Sequence, residues 1–135
     1  SYDQWEKAGT NRCAECYCNF STCGGGTLFP PGALHEDILN EKLFMELAPF
    51  ADDIFYWGMA VLNDTKTRII EGSQPNIIDV SPENIVFDST AFTLYKINTL
   101  LGKNDEQFIN VLNAYPDIYR KISIENRLLH RSNQK

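Results

Sequence analysis

The segment that most constrains this chain is residues 52–62, DDIFYWGMAVL. Within it Ile54, Trp57, Gly58, Val61 and Leu62 fall at i, i+3, i+4, i+7 and i+8, which lines one buried face of an α-helix. Ahead of the stripe stand Asp52 and Asp53, at the N-cap and first turn of the expected helix. A carboxylate there accepts backbone N–H groups that lack an intrahelical partner, and it complements the helix dipole. One aspartate satisfies that need. A second one at a helix mouth is a candidate general base, or a ligand for hydroxyl groups.

At 135 residues the chain has room for one domain with a core, spanning residues 1–135. Its net charge of −6, with a pI near 4.8, argues against a nucleic-acid or anionic-membrane binder. The basic residues near the C-terminus, Arg120, Lys121, Arg127, His130, Arg131 and Lys135, read as a solvated helix face and tail. No window holds the ~20 apolar residues of a transmembrane helix. The polar opening SYDQWEKAGTNR is not a signal peptide. The first residue is not methionine, so the sequence reads as a piece of a longer protein.

Cys13, Cys16, Cys18 and Cys23 crowd into eleven residues. Free thiols in a reducing compartment, disulfides and a tight structural zinc site all fit that spacing, although a second Cys-x2-Cys at ribbon distance is missing. Asn19 and Asn63 match the short glycosylation pattern, which arises readily by chance.

Residues 1–22 read as irregular, with a short helix near residues 2–8. Gly24, Gly25 and Gly26 allow positive φ or a close backbone approach, and TLF after them reads as a short strand ended by Pro30-Pro31-Gly32. Leu39, Leu43 and Leu47 predict a helix capped by Asp37 or Asn40 and ended at Pro49, with His35 ahead of it. Residues 65–72 read as a strand, and residues 75–87 as two short extended pieces. Leu94, Ile97 and Leu101 predict a helix stopped at Gly102. The next helix has Asn104 as cap, Gln107 at the capping-box position, an apolar stripe of Phe108, Val111 and Leu112, and Pro116 at its close. Residues 123–135 form a C-terminal helix and tail. The expected class is α/β, a small mixed sheet with several packed helices.

The ordered set GGGTLFPPGALH, ADDIFYWGMAVLND and LYKINTLLGKNDEQFINVLNAYP resembles the C-terminal, acceptor-side half of bacterial family 2-like glycosyltransferases of the GT-A fold. The likeness covers roughly residues 23–116. It implies a parent hexosyltransferase of surface-polysaccharide biosynthesis, which moves a sugar from a nucleotide-sugar to a saccharide acceptor. In such enzymes the N-terminal half holds the donor through an Asp-x-Asp motif and Mg2+ or Mn2+. This sequence contains no Asp-x-Asp. The chain is therefore expected to be an acceptor-side fragment, inactive alone, with its donor half upstream.

By motif position the resemblance makes Asp53 the base that deprotonates the acceptor hydroxyl, and Asp52 its acidic companion. It implies substrate contacts at Gly24, Gly25, Gly26 and Trp57, and a metal ligand at His35. It also implies a cytoplasmic location, at the inner face of the bacterial membrane. A sheet cut from its N-terminal strands would expose an edge, which favours a homodimer. The competing reading is a non-catalytic carbohydrate- or partner-binding module, in which Asp52 and Asp53 only accept hydrogen bonds.

Overall fold

The computed structural model describes residues 15–22, 26–70, 94 and 96–132, with 129–132 by their backbone alone. A 3-10 turn at Glu36–Leu39 leads into α1 (Glu41–Leu47) and α2 (Asp52–Leu62). A π-helical turn at Lys96–Leu100 precedes α3 (Lys103–Ala114) and α4 (Pro116–Ser132). Local chemistry sets these boundaries. The Asn40 side chain accepts the Leu43 N–H at 3.1 Å and starts α1. Pro116 ends α3 and opens α4, where a missing N–H costs nothing.

The central element is α2. Ile54, Phe55, Trp57, Gly58, Met59, Ala60 and Val61 are all buried in it. It packs against α1, the 3-10 turn, α3 and α4. Gly58 is where α3 and α4 come closest. A Cβ at this position would lie 2.9 Å from Val111 Cγ1 and 3.3 Å from Ile118 Cδ1. Val111 and Ile118 are themselves fully buried, so neither can give way without disturbing its own neighbours.

The expected α/β class is wrong for the described residues, which are helical and contain no sheet. Their one β interaction is an isolated antiparallel bridge between Cys16 and Thr67. The TLF segment meets no partner strand there, and Leu28 is 91% exposed. Of the strand expected over residues 65–72, Thr67 forms the bridge to Cys16, and residues 71 and 72 lie outside the described residues. Extended propensity needs a neighbour to complete its hydrogen bonds. The homodimer expected from an exposed sheet edge loses its basis with the sheet. The two extended pieces at 75–87 lie outside the described residues.

Two helical expectations also shift. Leu39 is 89% exposed, because the backbone breaks at Asn40 between the 3-10 turn and α1. Leu94 and Leu101 are exposed while Ile97 is buried. Leu101 N–H donates to Lys96 O at 3.2 Å, a five-residue step that carries Leu101 off the α-helical stripe.

The 15–20 segment is held to α4 by polar contacts. Glu125, 7% exposed, accepts the Tyr17 N–H at 2.7 Å and pairs with Lys66 Nζ at 2.8 Å. That pairing raises the Lys66 pKa. Lys121 is not the solvated charge expected of it. Its Nζ donates to the Val61 and Leu62 carbonyls at the end of α2 and meets Asp64 Oδ1 at 2.7 Å. The bond to Lys121 lowers the Asp64 pKa. A lysine at this place satisfies carbonyls that α2 cannot, and it complements the negative end of the helix.

Gly58→Ala isolates the close approach. Helix propensity alone would favour alanine by up to about 1 kcal/mol. Overpacking against Val111 and Ile118 outweighs it, so a net loss of about 1–2 kcal/mol is expected in urea unfolding. Equal or greater stability in the variant would show that the three helices have room to separate at this point.

Candidate functional site

The acid pair sits at the start of α2, one step later than expected. Ala51 is the N-cap and makes no side-chain capping bond, which leaves Asp52 and Asp53 as the first two helical residues. Asp52 Oδ1 accepts the Asp53 N–H at 3.0 Å, and Asp53 Oδ1 accepts the Ile54 N–H at 2.9 Å. Asp52 therefore serves an orphan donor of the first turn, while the Ile54 N–H is shared between Asp53 and the Ala51 carbonyl, to which it also donates at 3.2 Å. Asp52 is exposed and Asp53 is half-buried.

The peptide just before the pair is fixed from outside its own helix. Phe50 N–H donates to Gln107 Oε1 at 2.7 Å, and Asn98 Nδ2 donates to Phe50 O at 2.6 Å. Gln107 Nε2 closes the ring by donating to Asn98 Oδ1 at 3.2 Å, and it also donates to Lys103 O at 3.0 Å. The chemistry admits one orientation for each amide. Phe50 N–H needs an oxygen and Phe50 O needs a donor, so Gln107 must present Oε1 and Asn98 must present Nδ2.

The sequence placed Gln107 in a capping box with Asn104. Instead α3 begins after Gly102, which takes the left-handed φ of 67°, and both side chains turn inward, Asn104 8% and Gln107 2% exposed. The signal was present in the spacing. Asn104, Gln107 and Val111 share one helical face, so two polar residues lie on an apolar stripe.

Trp57 belongs to the core. It is 4% exposed, stacks on Phe108 at 5.2 Å between centroids, and donates Nε1–H to Tyr17 O at 2.9 Å. With both ring and N–H engaged, it offers no face to a sugar. The aromatic on the acid side is Tyr56, which stands at i+4 from Asp52 and so on the same face. Tyr56 is half-buried and stacks on Phe29 at 5.5 Å and 24°. Sequence reading missed this pair, although the i+4 spacing was visible.

The glycine-proline segment is clipped along α2. Ala33 N–H donates to Pro30 O at 3.0 Å, closing a turn in which Gly32 takes φ 77°. That positive φ at the third turn position is the reason for glycine there. Asn63 Nδ2 donates to Gly32 O, and His35 N–H donates to Met59 O at 3.1 Å. Gly32 thus sits at the C-terminal end of α2 while Phe29 meets Tyr56, so the chain from Gly32 back to Phe29 runs toward the acid end. Gly26, three residues further back, is exposed with φ 91° and has nothing within 4 Å of an added Cβ. Gly24 and Gly25 lie outside the described residues.

His35 caps the 3-10 turn, its Nδ1 accepting the Asp37 N–H at 3.3 Å. Asp37 Oδ2 lies 3.6 Å from that nitrogen and accepts the Tyr115 hydroxyl at 2.6 Å. A cation site on His35 needs further donors. The described residues contain no group of three or more His, Cys, Asp or Glu side chains able to hold a metal ion. His35 and Asp37 make two, and one Asp37 oxygen already serves Tyr115. Cys16 is buried, and Cys18 Sγ contacts Asn126 Oδ1 at 3.2 Å. Cys13 and Cys23 lie outside the described residues.

Burial, and then the Asp37 hydrogen bond and charge, raise the Tyr115 pKa well above the usual phenolic value. An unfolded tyrosine ionises near pH 10. The contribution is therefore intact below pH 10 and falls above it, because the unfolded chain then releases a proton that the folded chain retains. Tyr115→Phe should lose about 1 kcal/mol at pH 7. Its stability gap to the parent chain should narrow in urea unfolding at pH 10.5, and a gap independent of pH would contradict the assignment. In comparisons with known proteins, no family model, no curated protein and no solved structure matches this chain.

Proposed function

We propose that this chain is the acceptor-side part of a glycosyltransferase that moves a sugar from a nucleotide-sugar to a saccharide acceptor in surface-polysaccharide synthesis. One observation carries the reading. An exposed carboxylate, Asp52, stands one turn from the stacked Tyr56–Phe29 pair at the rigid start of a buried helix. Sugars are met by this combination of groups, since ring C–H faces lie against aromatic surfaces while hydroxyls donate to carboxylates.

The aspartates divide the work. Asp53, the more enclosed of the two, takes the proton from the acceptor hydroxyl as its oxygen bonds to the anomeric carbon. The bond from that carbon to the nucleoside diphosphate breaks on the opposite face. Asp52 holds a neighbouring hydroxyl. In this reading Tyr56 and Phe29 replace Trp57 as the aromatic contact. Mg2+ or Mn2+ would supply charge neutralisation on the departing diphosphate. That site belongs with the donor half, outside these residues, and no step here is assigned to it. No described helix is long and apolar enough to cross a membrane. Action at the cytoplasmic face of the membrane is part of the proposal.

The test uses the complete parent polypeptide, assayed with a panel of nucleotide-sugars. Asp53→Asn should lower transfer by about 10²- to 10⁴-fold, the usual worth of a general base, with nucleotide-sugar binding unchanged in calorimetry. Full turnover in that variant removes Asp53 from the role. Sugar binding by the 135-residue chain that is saturable and indifferent to nucleotide, in a parent without transfer activity, would favour the binding module instead.

A further inference from the structure

We infer that Gln107 and Asn98 are positioning residues for the acid pair, acting through the Phe50 peptide. The inference rests on the reading of Asp52 and Asp53 as the acceptor-facing carboxylates. Both the N–H and the carbonyl of Phe50 are held by side chains from other elements, Gln107 of α3 and Asn98 of the π-helical turn. Those contacts span 57 and 48 residues of sequence. Ala51 is buried at 4% and contributes no side-chain cap, and the short-range bonds at the helix start, Ala51 N–H to Ala48 O at 3.2 Å and Ile54 N–H to Ala51 O at 3.2 Å, do not tie the first turn to α3. The Phe50 peptide does, and Asp52 follows it by two residues.

The ring formed by Phe50, Asn98 and Gln107 is stiff for a definite reason. Gln107 is 2% exposed, so losing any one of its bonds leaves a polar group without water to replace the partner. Asn98 owes its aim to the π-helical turn, whose i→i+5 bond from Leu101 to Lys96 widens the chain there. Insertions of this kind recur where a helix must redirect a side chain. A glutamine required only for stability could be replaced by an apolar residue of similar volume on the same buried face. A glutamine bonded to one particular peptide has the task of placing it.

The test reads position without needing a substrate. In the full 135-residue chain, Gln107→Met keeps the volume and removes the amide, and Asn98→Ala removes the other amide at a half-buried position with less risk to folding. Amide exchange at Ile54 should accelerate about tenfold, the equivalent of one hydrogen bond, while exchange at Val61 and Leu62 in the same helix changes less than about twofold. The carboxyl ¹³C resonances of Asp52 and Asp53 should move, and those of Asp105 and Asp117 should stay. Uniform acceleration along α2, or unmoved Asp52 and Asp53 resonances in Asn98→Ala, overturns the inference and leaves the amides a purely structural role. Transfer assays on Asp53→Asn judge the enzymatic reading separately, so a failure of either is recognised on its own.

Discussion

Everything in this fold depends on how closely α3 and α4 approach α2 at Gly58. The absence of a side chain there lets Val111 and Ile118 reach the backbone of the central helix. Helices packed at that distance bury Ile54, Phe55, Met59 and Val61 almost completely. Hydrophobic burial is non-directional, so a well-filled core alone does not decide where each helix starts or stops along its axis. Polar contacts decide that here.

Both ends of α2 are completed by residues far away in sequence. At the C-terminal end, Lys121 donates to the Val61 and Leu62 carbonyls and joins Asp64, and Asn63 reaches the Gly32 carbonyl. At the N-terminal end, the Gln107–Asn98 amides hold the peptide that leads into the first turn. Each of these groups would cost free energy if buried without a partner. The helix is thereby fixed in register as well as in place.

The parts of this arrangement visible in the sequence were the local ones. The α2 stripe announced itself because the period of Ile54, Trp57, Gly58 and Val61 is enforced by burial on one side. Asn40 and Pro116 marked helix boundaries through their own backbone chemistry. The strand at TLF failed because it meets no neighbouring strand among the described residues, where Leu28 is 91% exposed. The expected helix through Leu94, Ile97 and Leu101 is helical where described, but it turns through a five-residue hydrogen bond that cannot be read from spacing. Of the site, the aspartates were legible and their surroundings were not. Trp57 and Tyr56 are adjacent in sequence, yet one faces Phe108 inside the core and the other faces Phe29 on the acid side. A rotation of about 100° per residue separates those fates.

The run of chain beside α2 also acts as a ruler. Tyr56 and Asn63 are separated by about 10 Å along the helix axis, and the short stretch from Phe29 to Gly32 covers that interval as it enters the Pro30–Ala33 turn. The segment is pinned by a ring stack at one end and an amide at the other. A deletion among Pro30 and Pro31 would leave the segment too short to keep both pins, and an insertion would bow it outward. Length variation in this stretch should therefore be far less tolerated than substitution, an unusual property for a loop of glycine and proline on a protein surface.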